Sequence, residues 1–265
     1  MLTLKKVCKT FNPGTVNEKR ALNGLNLQLD DGEFVTVIGS NGAGKSTMFN
    51  AICGSFVPDS GAIFLDGKNI TYMPEHKRAS VIGRVFQDPM KGTAPNMTIE
   101  ENLALAYAKG TRGPLAFALN KKEKEFLRER VAEFGMGLEE RMKTKVGLLS
   151  GGQRQVVTLL MCTIVPPKLL LLDEHTAALD PATAEKVMEI TNMLVQRHKL
   201  TTMMITHNMS AALTQGDRTI MMDDGEVIFD VSGKEREAIT LDELLKMYSM
   251  KKNKSFDNDR MLMTP

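Results

Sequence analysis

Tryptophan is missing from this 265-residue chain, and tyrosine occurs only three times. Cysteine is as scarce: Cys8, Cys53 and Cys162 are scattered and odd in number. That argues against a disulfide framework or a Cys-x-x-Cys metal site, and a reducing cytoplasm is the expected setting. No run of eighteen apolar residues occurs, so no bilayer-spanning helix is expected. The opening Met1 to Lys6 lacks the apolar stretch of a secretory signal. Net charge is small as well, +2, and leaves no strong field to favour nucleic acid. What is present is ordinary for a globular protein: 42% hydrophobic and 25% charged residues, enough for a sizeable core in one large domain or two modest ones. The nineteen methionines read as soft core filler.

One stretch organises the rest: Gly39, Ser40, Asn41, Gly42, Ala43, Gly44, Lys45, Ser46 and Thr47. It follows the apolar run Phe34 to Ile38, a buried strand, and leads into Met48 to Cys53, a buried helix stopped by Gly54. Strand, glycine-rich loop and helix in that order aim backbone N–H groups at one spot and form a cradle for a phosphate chain. Gly42 and Gly44 allow a tight turn and a close approach to the ligand. Lys45 is placed to reach the β- and γ-phosphates, and Ser46 to offer its hydroxyl to Mg²⁺. A glycine-rich turn with a surface lysine is the plain alternative, but full agreement with G-x-x-x-x-G-K-[ST] in this context outweighs it.

Around this unit the chain alternates. Leu2 to Phe11 and Leu22 to Leu29 read as strands, and Ala62 to Ile70 as a hairpin turning at Asp66-Gly67. Ile82 to Phe86 is a strand ending at Gln87. A mostly helical block follows, with a capping box at Thr98 and Glu101, a loop at Gly110 to Pro114 and a charged helix over Lys121 to Phe134. A long apolar helix from about Gln153 stops at Pro166-Pro167, and Leu169 to Leu172 is a strand covered on both faces. Asp180 caps a helix opened by Pro181 and running to about His198. Thr201 to Thr206 is a buried strand ending at His207, Asn208 to Gln215 a short helix, and Arg218 to Phe229 a hairpin. Thr240 and Glu243 cap a last helix before a polar tail. The expected fold is α/β: a P-loop core with a mostly parallel sheet, an N-terminal antiparallel β part and an inserted helical subdomain. The expected division is 1–87 with 148–250 as core, 88–147 as helical subdomain and 251–265 as tail.

In an open parallel sheet, ligands sit beyond the carboxyl ends of the strands. Here those ends carry the P-loop, Gln87, Asp173-Glu174 and His207. Two adjacent carboxylates at a dry strand end need a cation, and Mg²⁺ on the nucleotide is the expected one. Asp173 is expected to hold the metal through water or Ser46, and Gln87 to touch the metal and the water. Glu174 is the expected general base on the attacking water, and His207 the group that meets the γ-phosphate. Each residue alone has a bland reading as a solvated turn or a satisfied polar group; the ordered set after a P-loop does not.

Leu149-Ser150-Gly151-Gly152-Gln153 lies at a helix start and reads as a second phosphate site, for which a chain with one P-loop has no obvious use in its own pocket. With the P-loop, Gln87, Leu169 to Glu174, Ala178-Leu179-Asp180 and His207 in order, the chain resembles the ATPase subunit of an ATP-binding cassette transporter over about Leu2 to Phe229. The resemblance implies ATP and Mg²⁺ as cofactors and a head-to-tail dimer with a second copy. The P-loop of one subunit and Ser150 to Gln153 of the other would clamp each ATP, with Asp180 at the seam. It implies adenine stacking on an aromatic residue, for which Phe11 is the candidate. It also implies a cytoplasmic protein, peripheral on the inner face of the membrane, that meets permease subunits around Asp88 to Glu101 and serves a solute-binding protein outside.

Where many members have proline after the Asp-Glu pair, this chain has His175, expected to be a local variant without catalytic duty. Asp173 to Pro181 with Lys9 to Thr15 resembles a bacterial subgroup associated with uptake of aromatic amino acids. An exporter subunit, a non-transport cassette ATPase acting on nucleic acid or ribosomes, and a binding-only switch are the rival readings. The second rival usually carries tandem cassettes, coiled-coil arms or zinc motifs, and the third lacks the base that Glu174 supplies.

Overall fold

The computed structural model describes residues 1–111 and 119–251. In chain order its main elements are β1 (Leu2–Phe11), β2 (Lys19–Leu29), β3 (Phe34–Gly39), α1 (Lys45–Cys53), β4 (Ser60–Leu65), β5 (Lys68–Asn69), α2 (Glu75–Arg78) and β6 (Ile82–Val85). Then come α3 (Ile99–Thr111), α4 (Lys121–Ala132), α5 (Gly151–Thr163), β7 (Leu169–Asp173), α6 (Pro181–His198) and β8 (Thr201–Ile205). The chain closes with α7 (Met209–Thr214), β9 (Arg218–Asp223), β10 (Glu226–Ser232), α8 (Gly233–Ala238) and α9 (Leu241–Lys251). By packing, the chain divides into two units, residues 1–79 with 201–265, and residues 80–200.

The first unit holds two kinds of sheet. One is antiparallel, in the order β2-β1-β4-β5. Leu2, Leu4, Val7, Leu25, Leu27 and Leu29 are buried, and polar residues between them are not, as a sheet with one wet face requires. The other is built on β3, whose six residues are all buried. It pairs in parallel with β8 on one side and β9 on the other, and β10 returns antiparallel to β9. An apolar strand flanked by two parallel partners explains why Phe34 to Ile38 reads as a continuous hydrophobic run.

Two cations buried in this unit were not foreseen. Arg78 is 1% exposed, and its guanidinium donates to the carbonyls of Ala51, Ile52, Thr71 and Met73. It therefore satisfies the carbonyls at the end of α1, where a helix has orphan acceptors and negative dipole charge. Arg236 does the same after α7, donating to the carbonyls of Ala212, Gln215 and Gly216 and to Thr219 Oγ1. It sits on α8, a helix that the sequence pattern did not announce.

The second unit is mostly helical. Its strands β6 and β7 pair in parallel, Ile82 opposite Leu169 through Val85 opposite Leu172. The helix α5 is amphipathic and buries Val156, Val157, Leu159 and Leu160. The expected capping box opens α3: Thr98 Oγ1 accepts from the Glu101 N–H, and Glu101 accepts from the Thr98 N–H at 2.7 Å. Asn102, fully buried, is held by donating to the carbonyls of Ala94, Met97 and Thr98.

Most boundaries fall within a few residues of expectation. The loop expected at Gly110 to Pro114 is corrected in part: α3 runs on through Gly110 to Thr111, and the remaining positions lie outside the described residues. The long apolar helix begins at Gly151 instead of about Gln153, because Ser150 caps it. The polar tail beyond Lys251 lies outside the described residues. Among the described residues, no helix is long and apolar enough to cross a membrane.

Candidate functional site

In the first unit three strand ends come out side by side. Val37 pairs with Ile205 and Gly39 with Met222, so the P-loop after β3, His207 after β8 and the turn after β9 share one edge. The loop is backed by protein as much as it is shaped for a ligand. Gly39 has φ 148°, and a Cβ there would lie 2.3 Å from the Met222 carbonyl oxygen. Gly44 has φ 102°, and its Cβ would lie 2.6 Å from the Ala21 carbonyl oxygen. The requirement for glycine at position 44 is thus steric and internal. The turn Asp223-Asp224-Gly225 completes the backing: the Gly225 N–H donates to Ala43 O at 3.0 Å, and Ser40 Oγ donates to Asp223 Oδ1 at 3.3 Å. Sequence reasoning saw only a hairpin turn there.

Lys45 is buried, and its ammonium donates to the carbonyls of Gly39, at 2.7 Å, and Ser40, at 3.0 Å. Its charge is held by backbone dipoles of its own loop. Asn41, Gly42 and Ser46 are exposed at the loop's mouth, Ala43 is buried and Thr47 half-buried. His207 is half-buried just before α7, where Asn208 caps the helix by accepting from the Ala211 N–H. Phe11 ends β1 with its ring edge-on to Phe56, centroids 5.6 Å apart, and is 37% exposed. The Lys9 ammonium lies over the Phe11 ring, 5.8 Å from its centroid, so a stacked base would have to use the opposite face.

The second unit carries the other predicted residues. The parallel pairing of β6 and β7 brings the ends of those strands out together, with Gln87 exposed after one and Asp173-Glu174 after the other. The cation beside Asp173 is one the sequence reading missed: Arg84 Nη2 donates to Asp173 Oδ2 at 2.8 Å. Arg84 also lies over the Phe86 ring, 4.7 Å from its centroid. Glu174 is half-buried with φ 50°, in the left-handed region. The next residue, His175, is buried. Its Nε2 is 3.2 Å from Thr191 Oγ1, and that hydroxyl donates to the Val187 carbonyl. With the hydroxyl proton spent there, the imidazole must carry its own proton on Nε2 and donate it to Thr191. Burial pushes the His175 pKa down to about 4, so the ring stays neutral near pH 7.

Ser150 caps α5: its Oγ accepts from the Gln153 N–H and Gln153 Oε1 accepts from the Ser150 N–H, each at 3.3 Å. Both side chains thus have a local duty as a capping box. Asp180 caps α6 by accepting from the Thr183 N–H at 3.1 Å; hydrogen bonds from the Thr183 side chain and from this N–H hold its carboxyl below the usual range. Thr183 also explains a signature glycine: a Cβ on Gly152 would lie 2.1 Å from Thr183 Cγ2, and one on Gly151 3.2 Å from Leu179 Cδ2. The two helix starts are therefore packed against each other.

Among the described residues no group of three or more His, Cys, Asp or Glu could hold a metal. A protein-only metal cage is therefore not built from them. The exposed Ser46 hydroxyl and the Asp173 carboxylate are hard oxygen donors, and Mg²⁺ carried on phosphates asks for one or two of these.

A family model described as ABC transporter matches residues 22–177, more than half of the chain. The chain belongs to the ABC transporter family. Among its relatives is the tyrosine transport ATP-binding protein of Clostridioides difficile, 45% identical over 249 residues, covering 94% of this chain and 98% of the relative. The spermidine/putrescine import ATP-binding protein PotA of Haemophilus influenzae is 34% identical over 237 residues; the match covers 89% of this chain and 59% of PotA. A dimeric, post-hydrolysis structure of the ATP-binding cassette MJ0796, bound to ADP and Pi, superposes with a TM-score of 0.74 at 31% identity, over 88% of this chain and 98% of that one. The ABC transporter cassette fold expected from the P-loop and the Leu149 to Gln153 signature is the fold found.

Proposed function

We propose that this chain is the ATP-hydrolysing subunit of a solute importer and works as a head-to-tail dimer with a second copy. One observation carries the reading: a single chain holds a P-loop with a buried lysine and, in its other unit, a capped helix start with the sequence Ser150-Gly151-Gly152-Gln153. A P-loop and one further phosphate-binding element in the same chain make sense if each triphosphate is held by residues of two copies. The dimeric MJ0796 cassette with ADP and Pi, 31% identical, supports this.

In the proposed reaction the P-loop N–H groups and Lys45 bind the β- and γ-phosphates. Ser46 and Asp173 would hold Mg²⁺, with Gln87 as a further oxygen donor; bound there, Mg²⁺ supplies neutralisation of phosphate charge. Glu174 takes the proton of the attacking water, and His207 donates to the γ-phosphate as negative charge builds. Phe11 stacks on adenine, and Asp180 lines the seam between copies. His175 holds the backbone after Glu174 from inside the core and has no part in the chemistry.

The segment Asp88 to Glu101 would receive the permease subunits at the inner face of the membrane. Asp88 caps the short turn Pro89–Gly92, and Met90 in that turn is 37% exposed. An aromatic amino acid is the proposed solute class, supported by the 45% identity to a tyrosine transport protein over nearly its whole length. The direct test is ATPase activity with and without purified permease subunits, together with a Glu174→Gln variant. That variant should bind ATP, turn over at least about a hundredfold more slowly and form an ATP-dependent dimer in light scattering. Normal turnover in Glu174→Gln would reject the base assignment. Tight binding to DNA or ribosomes without permease would favour a non-transport cassette.

A further inference from the structure

The proposed metal residue already holds a cation of the protein's own. Arg84 Nη2 donates to Asp173 Oδ2 at 2.8 Å, and both side chains are only 13% exposed. Arg84 comes from β6, three residues before Gln87, and Asp173 ends β7 one residue before Glu174. The arginine is anchored at both ends. Its guanidinium lies over the Phe86 ring, and its main-chain carbonyl accepts from the Cys162 thiol on α5 at 3.3 Å. On α5 the Gln155 amide also donates to the Phe86 carbonyl at 3.4 Å. The strand bearing Arg84 is therefore tied to the helix that Ser150 caps.

A carboxylate offers limited lone-pair directions to cations, and a full charge a few ångströms away opposes a second one. We propose that Arg84 is a positioning residue that competes with the divalent metal for Asp173, so that metal uptake at this carboxylate is coupled to release of the guanidinium. The competition raises the metal concentration the protein needs. When the metal arrives the guanidinium must leave Oδ2 while its strand stays bound to α5, so the Arg84 side chain itself has to swing aside. The inference rests on the reading of Asp173 as the metal residue.

Mn²⁺ binding to the full chain, followed by electron paramagnetic resonance with a non-hydrolysable ATP analogue, tests it without turnover. Arg84→Met should lower the half-saturating Mn²⁺ by about tenfold, since one of two competing cations is gone. Arg84→Lys, which keeps the charge, should stay near wild type. Asp173→Asn should raise the half-saturating Mn²⁺ severalfold, and Arg84→Met added to it should change nothing further. A shift in Asp173→Asn without one in Arg84→Met overturns the competition and leaves the metal assignment standing. No shift in Asp173→Asn overturns the metal assignment itself, and the competition with it. Should Arg84→Met fail to fold, the wild-type chain still decides: with ¹⁵N-labelled arginine, the Arg84 Nη signals should shift when Mg²⁺ joins the bound analogue. Unchanged signals in the Mg²⁺-loaded protein overturn the proposal.

Discussion

Both units keep their key glycines and charges in place by contact with the protein, but with different partners. At the P-loop, Gly39 and Gly44 face main-chain carbonyls of Met222 and Ala21. At the signature, Gly152 faces a side-chain methyl of Thr183. The charges follow the same division: Lys45 rests on loop carbonyls, whereas Asp173 rests on the full charge of Arg84. A backbone partner cannot be trimmed or turned aside without moving a strand, and a side-chain partner can. The first unit is thus a fixed mould, and the second is an arrangement that single side-chain changes can retune.

The largest expected effect tests the mould. Gly44→Ala puts a Cβ at φ 102° and 2.6 Å from Ala21 O, which combines a strained backbone with a clash against main chain. We expect a loss on the order of 3 kcal/mol in urea unfolding, with nucleotide binding lost as well. Trimming neighbouring side chains should not rescue it. A Gly44→Ala protein with the wild-type urea midpoint would erase the distinction between the two units.

Gly152→Ala should cost less, about 2 kcal/mol, because the offending atom is Thr183 Cγ2 and only a side chain must yield. The rescue sharpens the contrast. Thr183→Ser removes that methyl, after which the nearest remaining Thr183 atom to the new Cβ is 3.5 Å away. Alanine also suits a helix better than glycine, by about 0.8–1 kcal/mol. The double variant Gly152→Ala/Thr183→Ser should therefore unfold at or above the wild-type midpoint. A double variant as unstable as Gly152→Ala alone would show that the signature is no easier to remodel than the P-loop.

The same division sets what could be read from sequence. Local rules announced the local features. The P-loop stands between an apolar strand and a helix, Asp180-Pro181 opens α6 as expected, and Thr98 with Glu101 and Thr240 with Glu243 form the predicted caps. Features that depend on a partner far along the chain stayed hidden. Arg84 sits at an ordinary polar position of a short strand, and only the pairing of β6 with β7 brings it to Asp173. Arg78 lies in the charged run Glu75 to Arg78, which suggests solvent, yet it is buried against carbonyls of residues as distant as Ala51. Two bonds of the signature motif were legible in principle, since Ser150 and Gln153 have capping-box spacing. The contact of Gly152 with Thr183 was not, because thirty-one positions separate them.

His175 supplies the smallest effect and the finest test of the second unit. Its imidazole is buried neutral, with a pKa pushed down to about 4 from an ordinary value near 6.5. The unfolded chain therefore binds a proton at this residue at a higher pH than the folded chain does. Folding stability should be intact above pH 6.5 and fall as pH drops from there towards 4. Between pH 7 and 5.5 the loss from this one group should be about 1 kcal/mol. His175→Leu removes the titration and keeps a core-sized side chain, while Thr191 retains its bond to Val187 O. Its stability should accordingly decline less than that of wild type over that interval, whatever its starting value. Urea midpoints measured at pH 7.0 and 5.5 for both proteins give the difference directly. Equal declines would mean that His175 opens to water or binds a proton in place, and that the strand end carrying Glu174 is held less rigidly than its burial implies.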